Sequence, residues 1–202
     1  CETIGDVKNH FSDKTQNKII EYNTIIDSIK ICDPAVGSGH FLVSCLNQLI
    51  AFKSQLGILA SESGIINNDI SVKVVNDELQ LIDMKTGKVF IYNPPLNKDD
   101  IVNFRKQEIQ ELVFNEKRKI IENCLFGVDI NPKSVSICRL RLWIELLKNA
   151  YYTNKSSYKE LETLPNIDIN IKCGNSLISR FALNGSEKLM ISNQQELKKA
   201  TC

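Results

Sequence analysis

The chain lacks the features of a membrane, secreted or strongly DNA-binding protein. None of its apolar runs approaches the roughly 20 residues that span a bilayer, and no signal-peptide pattern is present. The formal net charge is only +1, so the chain by itself should bind DNA weakly, because non-specific binding depends on Lys and Arg neutralising phosphates. With 202 residues, 43% of them hydrophobic, the chain can bury a core, and one cytoplasmic domain is predicted.

Metal-binding and disulfide patterns are also missing from the sequence. The two histidines, His10 and His40, are too few and too isolated for a zinc site. None of the seven cysteines forms a CxxC pair. Five cysteines lie among apolar neighbours and are therefore predicted to be free, buried thiols: Cys32, Cys45, Cys124, Cys138 and Cys173.

The most informative segment that is present is a glycine turn between a strand-like run and a helical pattern. It follows the apolar run 29–32 and reads Asp33-Pro34-Ala35-Val36-Gly37-Ser38-Gly39-His40-Phe41. The two glycines let the backbone turn sharply and approach a ligand, and the next helix begins with unpaired N–H groups at the same point. The acid at the strand tip would repel a pyrophosphate but attract a cationic amine. The turn predicts a cofactor site, with a structural turn or a generic nucleotide loop as the alternatives.

Helices and strands are predicted to alternate along the rest of the chain. Apolar residues recur at helical spacing on both sides of the first strand, over 19–29 and 42–56. A long charged helix around 101–120 leads into the strand Leu125–Asp129, and Asn131-Pro132 opens the next helix. The apolar stripe of that helix and the third core strand are predicted at Val135, Cys138, Leu142 and Leu146, and at Asp168–Lys172.

Residues 57–100 interrupt this alternation. Three runs within them, Ile70–Val75, Leu79–Met84 and Val89–Tyr92, are typical of short strands separated by turns. We predict a small β meander inserted into the fold. The insert also explains why Asp129 lies much further from the glycine turn than the usual spacing of roughly 20 residues.

The alternation predicts an α/β fold with a doubly wound, mostly parallel sheet. In such a sheet the ligand site lies beyond the carboxyl ends of the strands. Asp33, Asp129 and Asn175 all follow or end predicted strands. We therefore expect these three residues to converge on one crevice from well-separated parts of the chain.

Three segments resemble the cofactor motifs of DNA adenine-N6 methyltransferases. They are Asp33–Leu42, Leu125–Pro132 and Pro165–Ile178, in the order found in that family. The helix after the second segment, with Arg139–Leu147, is most similar to the large type IIG restriction-modification enzymes. Each motif alone is moderately specific, whereas three in the right order are strongly so. The resemblance covers about residues 29–56 and 105–181.

The resemblance implies a class I, Rossmann-like methyltransferase fold, with S-adenosylmethionine as the cofactor and double-stranded DNA as the substrate. Asp33, Gly37 and Gly39 would contact the methionine portion of the cofactor. Ala35 and Phe41 are expected to act through shape and packing. The candidate set of cofactor-binding residues is Asp33, Pro34, Ala35, Gly37, Gly39, Phe41, Asp129, Ile130, Asn175 and Ser176.

The residues of the second and third motifs suit an adenosine. Asp129 can accept two hydrogen bonds from a ribose diol, Ile130 would lie against one face of the adenine, and Asn175 offers a donor and an acceptor to its edge. Each polar residue also has a structural alternative. Asp129 or Asn131 could cap the following helix, and Asn175 could cap a turn before Ser176.

Basic and aromatic residues outside the motifs are assigned to structure. Arg139, Arg141 and Trp143 could form a nucleic-acid face, with cations for phosphates and a ring for stacking. We favour a structural role, because the same helix is predicted to have a packed face formed by Leu140, Ile144 and Leu147. Two further clusters are predicted to be solvated helix faces: Lys117-Arg118-Lys119 and Lys198-Lys199.

No catalytic residue for adenine methylation is assigned. The target amine is a poor nucleophile until hydrogen-bond acceptors position it, and the family uses Asn or Asp, two prolines and an aromatic residue for this step. Asn93-Pro94-Pro95 matches in part, but Leu96 replaces the aromatic residue. The tripeptide also precedes the second motif, whereas the family places it after the third. We interpret it as a turn, and no substitute follows Asn175.

We therefore predict that residues 1–202 form a single, truncated domain, with 57–100 as an insert, that is the cofactor-binding part of a larger restriction-modification enzyme. The catalytic strand, DNA recognition and any endonuclease domain would lie elsewhere in the same protein, and this chain alone would be inactive. Two alternatives are a catalytically inactive, methyltransferase-like scaffold module and a methyltransferase that acts on RNA, protein or a small molecule.

Overall fold

The computed structural model describes residues 4–94, 103–168 and 170–177, which form an α/β fold. A short 3-10 turn at Asn154–Ser156 joins the last described helix to the last strand. In chain order the other elements are α1 (Ile4–His10), α2 (Gln16–Asp27), β1 (Ile31–Asp33), α3 (His40–Leu56), β2 (Ile70–Val75), β3 (Glu78–Asp83), α4 (Phe104–Asn123), β4 (Leu125–Asp129), α5 (Pro132–Leu147) and β5 (Ile171–Cys173).

The main sheet has the order β1-β4-β5, and both pairings are parallel. Asp33 is in register with Gly127, and Asp129 is in register with Cys173. The predicted mostly parallel sheet of an α/β fold is thereby confirmed. The carboxyl ends of all three strands consequently meet at one edge.

The third strand begins later than predicted. The backbone N–H groups of Asn170 and Ile171 both donate to the carbonyl of Ile167, so the chain turns here instead of extending. Ile167 is buried, which holds this turn against the core. The strand consequently starts at Ile171 and not at Asp168.

The insert contains an antiparallel hairpin, β2 and β3, as predicted. Its turn is formed by Asn76 and Asp77, both with positive φ, and the carbonyl of Asp77 accepts a hydrogen bond from Asn47 of α3. The third predicted run, Val89–Tyr92, does not form a regular strand. Only Val89 forms a bridge with β3, because the chain turns at Gly87 and its last backbone hydrogen bond to β3 is the one from Phe90 to Leu81.

Helix α5 packs on the sheet through the predicted stripe of Val135, Cys138, Leu142 and Leu146, all of which are buried. The predicted packed face of Leu140, Ile144 and Leu147 is wrong. These three residues lie on the opposite side of the helix from the buried stripe, because a turn takes 3.6 residues. They are 45–55% exposed.

Two buried charge networks converge on α4. Lys53 is fully buried, and its Nζ lies 2.6 Å from both Asp27 and Glu116, which joins α2, α3 and α4. Lys117 is also buried, which contradicts the predicted solvated face, because α5 covers this side of α4. Its Nζ donates to the carbonyl of Glu145 at 2.8 Å.

Cys32, Cys45, Cys124 and Cys138 are free thiols that differ in burial. Cys124 and Cys138 are buried as predicted, whereas Cys32 is exposed because β1 is an edge strand of the described sheet. Burial raises the pKa of the Cys124 and Cys138 thiols to about 11. No helix in the described ranges is both long and apolar enough to span a membrane.

Candidate cofactor-binding site

The glycine turn occupies the carboxyl end of β1. Gly37 and Gly39 have φ values of 53° and 79°, in the left-handed region that favours glycine. Gly39 is also the N-cap of α3, so the turn delivers the chain directly into the helix. Val36 is buried under the turn, and its N–H donates to the carbonyl of Val128 at 2.9 Å. The turn is thus fixed to the neighbouring strand.

Asp129 joins the first and second motifs. Its Oδ2 accepts a 2.9 Å hydrogen bond from the N–H of Gly37, and its Oδ1 accepts a 2.8 Å bond from the N–H of Asn131. Asn131 itself is the N-cap of α5, because its side chain accepts from the N–H of Lys133. The capping alternative is therefore confirmed for Asn131. Asp129 stabilises this cap by accepting the hydrogen bond from the N–H of Asn131.

Asp33 lies at the same edge of the sheet as Asp129, at the end of the neighbouring strand β1. Its Oδ1 accepts a 3.0 Å hydrogen bond from the N–H of Ala35, which leaves the second carboxylate oxygen without a bond inside the described turn. Pro34, Ala35 and Phe41 are exposed, Phe41 by 54%. The role in shape and packing that we expected of Ala35 and Phe41 stays a prediction.

The third motif follows β5 at the same edge. The N–H of Gly174 donates to the carbonyl of Asp129 at 2.9 Å, which ties the motif to β4. Asn175 caps a turn, as its structural alternative predicted, because its Oδ1 accepts from the N–H of Leu177. Asn175 and Ser176 are exposed, and Ile130 is 67% exposed beside them. The structure therefore brings all three motifs to one edge of the sheet.

Close backbone approach under the site depends on two glycines. A Cβ at Gly39 would lie 2.5 Å from the Sγ of Cys138, and a Cβ at Gly127 would lie 2.8 Å from a methyl carbon of Val36. Both distances are too short for real contacts. The glycine turn therefore rests directly on α5 and β4, and only glycine allows this packing.

Two arginines of α5 support the same region. Arg139 donates to the carbonyl of Ile171 at 2.6 Å, and Arg141 lies 3.4 Å from the hydroxyl of Ser38 in the glycine turn. The indole N–H of Trp143 donates to the carbonyl of Pro165. These contacts agree with the structural role that we favoured. The contact of Arg141 with the glycine turn was not predicted, although its position three residues after Cys138 places both on neighbouring turns of one helix.

A family model for the MmeI DNA-methyltransferase domain matches residues 9–184. The chain belongs to this family. A relative from Methanocaldococcus jannaschii, RM.MjaORFECS2P, is 31% identical over 179 residues, which are 87% of this chain and 11% of the relative. The type II restriction enzyme and methyltransferase RM.Eco57I of Escherichia coli is 27% identical over 118 residues, 53% of this chain and 12% of that protein. No solved structure matches.

These comparisons confirm the resemblance to type IIG restriction-modification enzymes. The chain is a methyltransferase domain of type II restriction-modification enzymes, and it spans about a tenth of the length of the curated relatives that it matches.

The tripeptide that begins at Asn93, which we interpreted as a turn, follows Tyr92. The hydroxyl of Tyr92 donates to Gln107 of α4. No hydrogen bond in the described ranges joins Asn93 to the strand ends. Pro95 and Leu96 lie outside the described residues.

Proposed function

We propose that this domain binds S-adenosylmethionine at the carboxyl ends of β1, β4 and β5, for adenine-N6 methylation of DNA by the full-length enzyme. The observation that carries the proposal is the hydrogen bond from Gly37 to Asp129, beside Asp33. It joins a glycine turn, which permits close approach of a ligand, to two carboxylates. Carboxylates suit a cofactor that carries a cationic amine and a ribose diol.

The described side chains fit the parts of that cofactor. The carboxylate oxygen of Asp33 that is not bonded to Ala35 is available to the ammonium group of the cofactor. Each carboxylate oxygen of Asp129 accepts one backbone hydrogen bond and retains a second acceptor site for a ribose hydroxyl. Asn175 uses its Oδ1 in a turn, so its amide N–H groups are available to an adenine ring nitrogen. Ile130 offers an exposed apolar face to the adenine. The bound cofactor would supply the electrophilic methyl group.

Catalysis and DNA recognition are assigned to other parts of the full-length enzyme. The methyl acceptor must be positioned by a polar residue and an aromatic ring, and residues 178–202 contain no such motif. The charge of +1 gives the chain little affinity for phosphates, which supports DNA contacts through other domains. A protein that modifies cellular DNA in this way would act in the cytoplasm. We assign neither a metal nor a catalytic residue to this chain.

The direct test is a calorimetric titration of the chain with S-adenosylmethionine. We expect saturable binding with a dissociation constant in the micromolar range. A folded sample that does not bind would overturn the cofactor assignment for this chain and favour a scaffold module. Measurement of N6-methyladenine in host DNA, with and without the gene, tests the substrate separately, because a methyltransferase for RNA, protein or a small molecule would leave that modification unchanged.

A further inference from the structure

A cavity of about 440 Å³ opens between the hairpin insert and the helices α4 and α5. This volume lies within the range of roughly 300–1,000 Å³ that small-molecule sites occupy. One wall consists of Phe90 and Tyr92, from the segment that follows the hairpin. The opposite wall carries Gln110 and Lys117 of α4, together with Asn149 just after α5.

The cavity is separate from the strand ends. Helix α5 begins at Pro132, next to Asp129, and its 16 residues end at Leu147, beside the cavity. At about 1.5 Å per residue the helix spans about 24 Å. A cofactor at the strand ends therefore does not fill this cavity, and an inference about it is independent of the proposed function.

The cavity contains buried polar groups with unused hydrogen-bonding capacity. Asn149 is 9% exposed, and its carboxamide makes no hydrogen bond to another residue of the described ranges. Gln110 is 4% exposed and donates to the carbonyl of Ala150, while its Oε1 accepts from none of the described residues. These free donor and acceptor positions can therefore bind a polar ligand that enters the cavity.

The ionic groups of the cavity are already balanced. The Nζ of Lys117 donates to the carbonyl of Glu145 and lies 3.4 Å from its carboxylate. Burial lowers the pKa of Lys117 to about 8. Lys148 pairs with Glu145 and Glu78 at 2.8 and 3.3 Å. Two cations and two anions leave no net charge to attract a phosphate, which favours an uncharged ligand.

The remaining chemistry matches a nucleobase. A carboxamide presents a donor beside an acceptor, which is the pattern on the hydrogen-bonding edges of the bases. Aromatic side chains such as Phe90 and Tyr92 suit the flat face of a base. We propose that this cavity binds an uncharged nucleobase, either of a free nucleoside or of an unpaired position in a nucleic-acid strand, and that Asn149 and Gln110 recognise its edge.

The proposal is tested by titrating the chain with adenosine, guanosine, cytidine and thymidine in a calorimeter. Saturating S-adenosylhomocysteine is present so that adenosine cannot occupy the proposed cofactor site. We expect at least one nucleoside to bind saturably, and Asn149→Leu and Gln110→Leu each to weaken its binding about tenfold or more. Asn123→Leu, which removes an exposed carboxamide at the end of α4, should leave the binding unchanged.

Melting curves by circular dichroism establish that each variant is folded. In the unmodified chain, hydrogen exchange should slow at 78–92 and 145–150 when the nucleoside is added, which reports on the cavity without a substitution. Absence of saturable binding by all four nucleosides would overturn the proposal, as would binding that both Leu variants retain. If S-adenosylmethionine does not bind at all, the dependence on Asn149 still decides this proposal.

The two sources of the base are distinguished with a single-stranded oligonucleotide that contains the preferred base. Tighter binding of the oligonucleotide than of the nucleoside, with the same dependence on Asn149, would assign the cavity to a nucleic-acid strand. Binding of the nucleoside alone would assign it to a free nucleoside. Both results support recognition of a base, whereas binding of the oligonucleotide without any dependence on Asn149 would contradict it.

Discussion

The carboxylate of Asp129 accepts a 2.9 Å hydrogen bond from the backbone N–H of Gly37, although the two residues are 92 positions apart in the chain. The bond forms because β1 and β4 are parallel neighbours whose carboxyl ends meet at one edge. It holds the glycine turn in its left-handed conformation and helps to offset the backbone entropy that glycine loses on folding. Asp129 therefore shapes the proposed cofactor site and also offers acceptors to the cofactor.

Replacement of Asp129 by alanine should weaken the binding of S-adenosylmethionine by about 1–3 kcal/mol, because charge-assisted hydrogen bonds are lost. Calorimetric titration measures the change. Asn93→Ala is the control and should alter the affinity little, because Asn93 lies on the segment that contacts α4. Equal losses in the two variants would contradict our assignment of the motifs.

Replacement of Gly39 by alanine should be far more destabilising than the same change at Gly87. Both residues have positive φ, but a Cβ at Gly39 meets Cys138 at 2.5 Å, whereas a Cβ at Gly87 has nothing within 4 Å among the described residues. We expect about 1 kcal/mol of lost stability for Gly87→Ala and about 2–4 kcal/mol for Gly39→Ala in urea unfolding. Adding Cys138→Ala to Gly39→Ala should recover part of the loss. Similar costs at the two glycines would argue against the close contact.

Loss of the buried ammonium of Lys53 should destabilise the domain strongly. Lys53→Met removes the ammonium that lies 2.6 Å from the carboxylate of Glu116, which is 2% exposed, and leaves it the longer contact with Lys119 at 3.5 Å. We expect a decrease of about 3–5 kcal/mol in the free energy of unfolding. Glu116→Gln in the same chain should restore part of it.

The matched control for Lys53 is Lys18, whose ion pair with Glu21 is exposed on both sides. Lys18→Met should change the stability by less than about 1 kcal/mol. Comparable effects of the two methionine variants in urea unfolding would show that the Lys53 cluster is not buried in solution.

Stability should depend on pH through Arg105. Its guanidinium lies 2.6 Å from Asp83 and 2.7 Å from Asp69, and it holds the pKa of both carboxyl groups below their usual range. A carboxyl group with a lowered folded pKa contributes stability above its unfolded pKa of about 4 and loses it as the pH falls below that value. The unmodified domain should therefore lose stability as the pH falls below about 4.

Arg105→Leu should remove most of this pH dependence. Its urea midpoint should fall well below that of the unmodified chain at pH 7 and lie closer to it at pH 3. Lys88→Met, which removes an exposed cation from the segment just after β3, should leave the difference between the two pH values intact. An unchanged pH profile in the Arg105 variant would exclude this ion pair as its origin.

Local periodicity was sufficient to predict most elements. The bounds of β2 and β4 agree with the predicted runs Ile70–Val75 and Leu125–Asp129, and the stripe of α5 is buried as predicted. The meeting of Asp33 and Asp129 was also predictable, because parallel strands connected by helices place their carboxyl ends at the same edge. These features depend on residues near each other in sequence, or on a general rule of topology.

The sequence by itself thus determined the type and order of most elements, the parallel sheet and the motifs at its edge. Only the tertiary structure decided that Lys117 is buried, that Leu140 is exposed and that Val89 makes one bridge instead of a strand. Burial and strand pairing depend on which distant element covers a residue. A periodic pattern specifies two faces of a helix or strand, but contact with the rest of the fold determines which face is covered.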